Sequence, residues 1–255
     1  MDNWTLRPAR DLGLRPVDRL RSLGREPGLI SMAANAAWRR AVRAYLRACH
    51  GFRVEGAENL PAPPFVMVAN HASHLDALAL SAALRGPAAR RAHAMAAGEL
   101  FFGNPARAVL SALAIHALPV WRGRSRRGDL ETMRARLGED SLVYILFPEG
   151  TRSRTGDMAP FQPGLGMLVA GTDIPVVPCW LEGAREAWPA ESRTPRPGRP
   201  LRLTVGPPLR FPETANDRAG WTTIATAAES ATRRLSPGGN PAPGSHLIPG
   251  SEASR

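Results

Sequence analysis

The sequence has no lysine, only two cysteines and no long hydrophobic run, and each shortage narrows the class of protein. All 33 lysine-or-arginine residues are arginine, and with 22 acidic residues the net charge is +11. Cys49 and Cys179 lie far apart and match no metal-binding or redox spacing, which indicates a reduced, intracellular chain. No segment reaches the roughly 18 consecutive apolar residues that a membrane span requires. Residues 1–28 are polar, which argues against a signal peptide.

The rest of the composition is that of a globular protein. Apolar residues make up 44% and charged residues 22% of the 255 residues, enough for one large domain with a full core. The excess positive charge favours either nucleic acid or anionic lipid as a partner. Because the arginines are not interleaved with aromatic residues in a recognisable module, a basic nucleic-acid-binding protein is the weaker alternative, and we expect no nucleic-acid partner.

A basic amphipathic helix is predicted for residues 30–49. One face has the helical spacing of apolar residues, formed by Trp38, Val42, Tyr45, Leu46 and Cys49. The flanks and the opposite side carry Arg39, Arg40, Arg43 and Arg47. Two interpretations are open. The aromatic face can lie in an anionic membrane surface, or the helix can pack on the core and point its arginines at water.

Strands and helices alternate over the remaining chain, which predicts an α/β layer structure. We expect strands at 52–54, 65–69, 88–95, 142–147, 174–181 and 201–205. We expect helices at 75–84, 101–118, 130–137 and 222–235, and one within 161–170. The chain then divides into an N-terminal arm (1–29), an interface helix (30–50), a globular domain (51–235) and a disordered Pro-, Gly- and Ser-rich tail (236–255).

The segment from Asn70 to Asp76, Asn-His-Ala-Ser-His-Leu-Asp, joins a predicted strand to a predicted helix, where α/β folds build their sites. On a straight helix, residues five apart differ by about 140°, so His71 and Asp76 would not meet. With Ser73 as N-cap and Asp76 in the capping-box position, His71 lies on the preceding loop and can fold back. The carboxylate can then orient the imidazole as a general base. The alternatives are simple helix capping and an ordinary loop histidine, and His74 is a rival base.

A second segment, Phe-Pro-Glu-Gly-Thr-Arg-Ser-Arg over 147–154, follows another predicted strand. Pro148 and Gly150 predict a tight loop with exposed backbone N–H groups. Thr151 adds a hydroxyl, and Arg152 and Arg154 add guanidinium groups, which together suit a phosphate. Glu149 is expected either to accept from an arginine or to bind an acceptor hydroxyl. The alternative is a surface turn that is basic because the whole chain is rich in arginine.

These two segments resemble the first and third conserved blocks of the glycerolipid acyltransferase family. Residues 117–122, Ala-Leu-Pro-Val-Trp-Arg, are similar to its second block, and residues 174–178, Ile-Pro-Val-Val-Pro, to its fourth. The resemblance spans roughly residues 30–210. It implies a mixed β-sheet flanked by helices, with an N-terminal helix that grips the membrane. The sequence departs from the family at 161–164, where Phe-Gln-Pro-Gly replaces the usual Phe-Lys-x-Gly.

The resemblance also implies the chemistry. His71 deprotonates an acceptor hydroxyl that attacks an acyl thioester, Asp76 orients His71, and Arg122 contacts acceptor phosphate. The expected acceptor is 1-acylglycerol-3-phosphate, giving phosphatidate, or else a lyso-aminolipid or another lysophospholipid. The acyl donor is acyl-CoA or acyl carrier protein, and no metal or other cofactor is expected. Ser73 lacks the small-residue elbow of a nucleophile. The protein is expected to act peripherally at the cytoplasmic face of the cell membrane.

Overall fold

The computed structural model describes Gly13 and residues 29–97, 118–120 and 127–239, and in this part of the chain a mixed β-sheet organises the fold. Its strands are β1 (Arg53–Glu55), β2 (Phe65–Ala69), β3 (Ala92–Ala97), β4 (Leu118–Val120), β5 (Val143–Leu146), β6 (Thr172–Glu182), β7 (Arg202–Val205) and β8 (Leu209–Phe211). The helices are α1 (Leu29–His50), α2 (Asp76–Ala83), α3 (Gly86–Arg90), α4 (Arg127–Glu139), α5 (Gly164–Val169), α6 (Ala184–Ala187) and α7 (Arg218–Arg234), with a 3₁₀ turn at Ala57–Asn59.

The strand order is β1-β7-β6-β2-β5-β3-β4, with β8 paired to β6. Strand β2 is parallel to both of its neighbours, β5 and β6, whereas β7 and β8 run antiparallel to β6. Every residue of β2 is buried, as a continuous apolar run in a covered parallel sheet requires. The predicted fold class, a mixed sheet flanked by helices, is therefore confirmed.

Helices cover both faces of the sheet and form two hydrophobic clusters. On one face, residues of α1 and α2 pack against alternate strand residues such as Phe65, Met67 and Ile145. On the other, α4, α5 and α7 pack against Val66, Val68 and their neighbours. Because successive strand residues point to opposite faces, one strand serves both clusters.

Several predicted elements differ from the observed ones. The strand expected over 88–95 is divided, because Pro87 favours a helical first turn and α3 comes before β3. Strand β8 was missed. Helix α7 begins at Arg218, where Asp217 caps it by accepting from the Gly220 N–H. The helix expected over 101–118 lies outside the described residues except at Leu118, which starts β4. The predicted arm and tail also lie largely outside them.

The predicted N-terminal helix is present, but part of its apolar face is covered by protein. Val42 and Leu46 are buried in the cluster shared with α2, so of the two interpretations the membrane one is wrong for these residues. Arg43 donates to the carbonyls of Ala82 and Leu84 at 2.8 and 2.7 Å, so it is engaged at the end of α2. Trp38 stays 41% exposed. None of the described helices combines the length and hydropathy needed to cross a membrane.

Candidate active site

The site lies where β2 and β5 end, at the carboxyl edge of the parallel part of the sheet. Asn70 follows β2, and its side chain replaces the next rung of the ladder. The Asn70 amide donates to the Leu181 carbonyl at 3.0 Å and its oxygen accepts from the Leu181 N–H at 2.8 Å. These two bonds tie the end of β2 to β6, so the following loop starts from a defined position.

The predicted contact between His71 and Asp76 is present. Nδ1 of His71 lies 2.7 Å from Oδ2 of Asp76, and the same oxygen accepts from the N–H groups of Ala72 and Ser73 at 2.8 Å. Asp76 is 1% exposed. Three N–H groups converge on one carboxylate oxygen, and this convergence folds the loop so that His71 reaches back over the start of α2.

The predicted capping box is only half formed. Asp76 accepts from the Ser73 N–H as expected, but it is itself the first residue of α2, and Leu75 occupies the N-cap position. The Ser73 hydroxyl donates to the Trp188 carbonyl at 2.7 Å and accepts from the Leu75 N–H. The serine therefore anchors the loop to the segment after α6.

The imidazole of His71 is fixed on one side and open on another. Its ring stacks on Phe147, with centroids 4.1 Å apart and planes 18° apart. The side chain is 22% exposed, and within the described part of the chain Nε2 has no hydrogen-bond partner. With Nδ1 donating to Asp76, Nε2 is the nitrogen available to take a proton.

Glu149 lies in the loop after β5, but the arginine partner expected for it is not found among the described residues. Oε1 accepts from the His71 N–H at 2.6 Å and Oε2 from the Ala159 N–H at 2.8 Å. The side chain is buried, and burial raises its pKa, an effect that the two N–H donors partly offset. At Gly150 the chain turns with φ +75°, a conformation that favours glycine.

The predicted phosphate-binding residues are only partly described. Thr151 is exposed on the loop, and Nη1 of Arg152 lies 2.8 Å from Nδ1 of His74. His74 contacts Arg152, the Ala190 carbonyl and the Trp188 ring. Burial and the charge of Arg152 lower the pKa of His74. Arg122 lies outside the described residues.

Sequence reasoning missed the roles of Phe147 and Trp188. Phe147 was part of the second motif, but nothing in its local pattern indicated a stack on His71. Trp188 is 115 residues from Ser73, and it holds Ser73 through a main-chain carbonyl, which any residue type supplies. Over the described ranges, no group of three or more His, Cys, Asp or Glu side chains is arranged to hold a metal ion.

Comparisons with known proteins identify the family of the chain. A family model described as Acyltransferase matches residues 51–182. The chain is 30% identical over 173 residues to 1-acyl-sn-glycerol-3-phosphate acyltransferase alpha of Bos taurus, covering 65% of this chain and 57% of that protein. The Homo sapiens protein of the same name is also 30% identical over 173 residues, with 65% and 58% covered. The chain thus spans less than two thirds of the length of these curated relatives.

The fold has a counterpart among solved structures. The 1-acyl-sn-glycerophosphate (LPA) acyltransferase PlsC from Thermotoga maritima matches with a TM-score of 0.58 and 23% sequence identity, over 80% of this chain and 78% of that one. At this identity the likeness concerns the fold alone. It agrees with the mixed sheet flanked by helices described above.

Proposed function

The chain belongs to the acyltransferase family, and from this premise we propose that it transfers a fatty acyl chain from a thioester to the free hydroxyl of a lysophospholipid. The observation that carries the proposal is the 2.7 Å contact between His71 and Asp76, which leaves Nε2 open at the carboxyl edge of the sheet. The named relatives act on 1-acylglycerol-3-phosphate. Lysophosphatidate is therefore the proposed acceptor and phosphatidate the proposed product.

The proposed reaction is a direct acyl transfer. Nε2 of His71 takes the proton of the acceptor hydroxyl as its oxygen adds to the thioester carbonyl carbon. The carbonyl π electrons move to oxygen and form a tetrahedral oxyanion. When the carbonyl re-forms, the carbon–sulfur bond breaks and the thiolate takes the proton from His71. Asp76 holds the ring through Nδ1 and stabilises the imidazolium that exists between the two proton transfers.

The proposed site for the acceptor phosphate is the loop from Gly150 to Arg152, with Arg122 as a further contact. Support comes from the exposed Thr151 and from Arg152, which has no carboxylate partner among the described residues. The Gly150 N–H does not contribute as expected, because it donates to the Phe147 carbonyl at 3.0 Å. The side chain of Gln162 lies beside Gly150, since a Cβ added at that glycine would be 3.9 Å from Gln162 Cγ. The usual lysine of the family is thus replaced by a neutral amide near the loop. A less charged acceptor, either a lyso-aminolipid or another lysophospholipid, is the second candidate.

We also propose that the protein works peripherally at an anionic membrane surface, on the cytoplasmic face. Met32 and Trp38 are exposed large hydrophobic residues on α1, and arginines lie beside Trp38 in the same helix. Burial and the charges of Arg43, Arg40 and Arg90 lower the pKa of Arg39, which shows how closely these cations are gathered. Each arginine near an anionic surface contributes about 1 kcal/mol to binding. An enzyme at the interface meets its acceptor without extracting the acyl tail into water.

The activity is tested with the purified full chain, mixed micelles containing lysophosphatidate, and either acyl-CoA or acyl carrier protein loaded with the same chain. We expect phosphatidate, detected by mass spectrometry, from at least one acyl donor. His71→Ala should lower the rate by about 10²–10⁴-fold, because it removes the general base. His74→Ala should retain most of the turnover at saturating acceptor. Parallel assays with lysophosphatidylethanolamine identify the second candidate, and failure with every lysophospholipid would refute the proposal.

Membrane binding is tested by co-sedimentation with anionic and neutral liposomes. Replacing the exposed Arg40 and Arg47 by Gln should weaken binding to anionic liposomes at low salt. At high salt this double variant should bind like the parent, because the arginine charges are screened. The matched control replaces Arg218 and Arg234, which are also exposed but lie on α7 at the other face of the sheet. Trp38→Ser should weaken binding to both liposome types. Equal binding by the α1 double variant and the α7 double variant would show that α1 is not the membrane contact.

A further inference from the structure

We propose that Glu149 is a positioning residue that holds the backbone of His71, and that it does not bind the acceptor. This inference rests on the proposed function, because it concerns how the proposed base is held in place. It differs from the expectation drawn from the sequence, in which a carboxylate beside arginines in a phosphate-binding loop contacts either an arginine or a substrate hydroxyl.

Both oxygens of Glu149 are already used by main-chain donors. Oε1 accepts from the His71 N–H at 2.6 Å, and Oε2 accepts from the Ala159 N–H at 2.8 Å. The residue is 5% exposed. The carboxylate therefore bridges two loops that are far apart in the chain, one after β2 and one before α5, and turns inward rather than toward solvent.

The loop after β5, which contains Glu149, also holds the peptide group on the other side of His71. The Ser153 N–H donates to the His71 carbonyl at 2.7 Å, while Phe147 stacks on its ring. Residues 147–153 thus contact His71 at its N–H, its C=O and its side chain. The proposed base and the proposed phosphate loop form one unit, so a phosphate held by the loop places the acceptor hydroxyl at a set distance from Nε2.

The chemistry of the side chain explains why a carboxylate is needed here. Two N–H groups require two acceptor oxygens, and a glutamine has one oxygen and one NH₂ group. In Glu149→Gln, one of the two backbone N–H groups faces another donor. Burying a carboxylate is unfavourable, and burial raises the pKa of Glu149 in spite of its hydrogen bonds. The unfavourable burial of Glu149 is offset in part by the hydrogen bond from the His71 N–H.

The kinetic test compares Glu149→Gln with the matched variant Glu229→Gln. Glu229 also accepts from a backbone N–H, but that N–H belongs to Phe161, at 2.9 Å, and the other oxygen of Glu229 accepts from Arg233. A misplaced base costs on the order of 10²-fold per ångström, so Glu149→Gln should lower kcat by about ten- to a hundredfold. The KM for lysophosphatidate should stay within about twofold of the parent value, because the substrate contacts are intact. Glu229→Gln should match the parent.

A rise in acceptor KM with unchanged kcat would overturn the proposal, since it would mean that Glu149 touches the substrate. Glu149→Asp keeps the charge but is one methylene shorter and cannot reach both N–H groups. It should therefore be as slow as Glu149→Gln, whereas recovery of the parent rate would show that charge alone matters. This variant also provides the comparison if Glu149→Gln does not fold.

A second measurement does not depend on activity. The chain has six histidines, so a sample labelled with ¹⁵N-histidine gives few amide signals in a heteronuclear NMR spectrum. The His71 amide proton should lie downfield, because it donates to a carboxylate at 2.6 Å, and it should move upfield and exchange faster in Glu149→Gln. It should not move in Glu229→Gln. An unmoved signal in Glu149→Gln refutes the role, whereas absent transfer by the parent refutes only the proposed function.

Discussion

Replacing Asp76 by asparagine tests whether the carboxylate acts through His71. The asparagine side chain keeps the size of the aspartate and one oxygen near the three converging N–H groups, but it removes the negative charge that faces the imidazolium. We expect kcat to fall by about 10²–10⁴-fold, in line with the loss seen when the same change is made in a serine protease triad. That range corresponds to about 3–5 kcal/mol of transition-state stabilisation.

The choice of asparagine rather than alanine follows from the hydrogen bonds of Asp76. Asp76→Ala leaves two buried backbone N–H groups, those of Ala72 and Ser73, without their acceptor. Each unsatisfied group costs about 1–3 kcal/mol, so the variant loses about 2–6 kcal/mol. Because a domain has about 5–15 kcal/mol of stability in total, Asp76→Ala is expected to be poorly folded. His71→Ala removes only a partly exposed ring and is expected to stay folded.

The assay is a double-mutant cycle on acyl transfer with matched circular dichroism spectra. If Asp76 acts through His71, the double variant His71→Ala/Asp76→Asn should be no slower than His71→Ala alone. Losses that multiply would refute the reasoning, because they would mean that Asp76 contributes independently of the imidazole. An Asp76→Asn enzyme with the parent rate would refute it as well and reduce Asp76 to a helix-capping residue.

Three other outcomes are expected. Arg152→Ala and Arg122→Ala should each raise the acceptor KM by about tenfold or more, because a charge-assisted bond to phosphate is lost; an increase confined to the acyl donor KM contradicts this. Gly166→Ala should lower the free energy of unfolding in urea by about 1–3 kcal/mol, since its Cβ would collide with the Cα of Trp221 in α7, whereas Gly164→Ala, with open space, should not. Because the pKa of His74 is lowered in the folded chain, the unfolded chain binds more protons, and stability falls as the pH drops through and below the ordinary histidine pKa of 6.5. The parent should show a steeper decline than His74→Gln.

The His71–Asp76 contact could be predicted because the information is local. The two residues are five positions apart, and a carboxylate at the start of a helix draws the preceding N–H groups toward it. The details of the cap could not be predicted as well. The Ser73 hydroxyl both accepts and donates a hydrogen bond. The acceptor of its hydrogen is the Trp188 carbonyl, which lies near Ser73 only in the folded chain.

The partner of Glu149 could not be read from its neighbours in the sequence. A glutamate followed by Gly, Thr and Arg favours an ion pair, whereas the folded chain offers two backbone N–H groups in a buried place. The His71 N–H lies 78 positions away and becomes a neighbour only because β2 and β5 are adjacent and parallel. Every residue except proline has a backbone N–H, so the local sequence does not predict which N–H groups Glu149 will bind.

The sequence by itself determined the alternation of helices and strands, the two motifs at strand ends and the amphipathic character of α1, because these depend on periodicity and on neighbouring residues. The tertiary structure alone decided what covers each apolar surface. A protein core and a lipid interface are equally apolar, so the spacing of Val42, Leu46 and Trp38 does not distinguish them. Packing against α2 buries the first two and leaves Trp38 exposed. Strand order likewise decided that residues 147–153 close around His71, since pairing in a sheet is set by long-range burial.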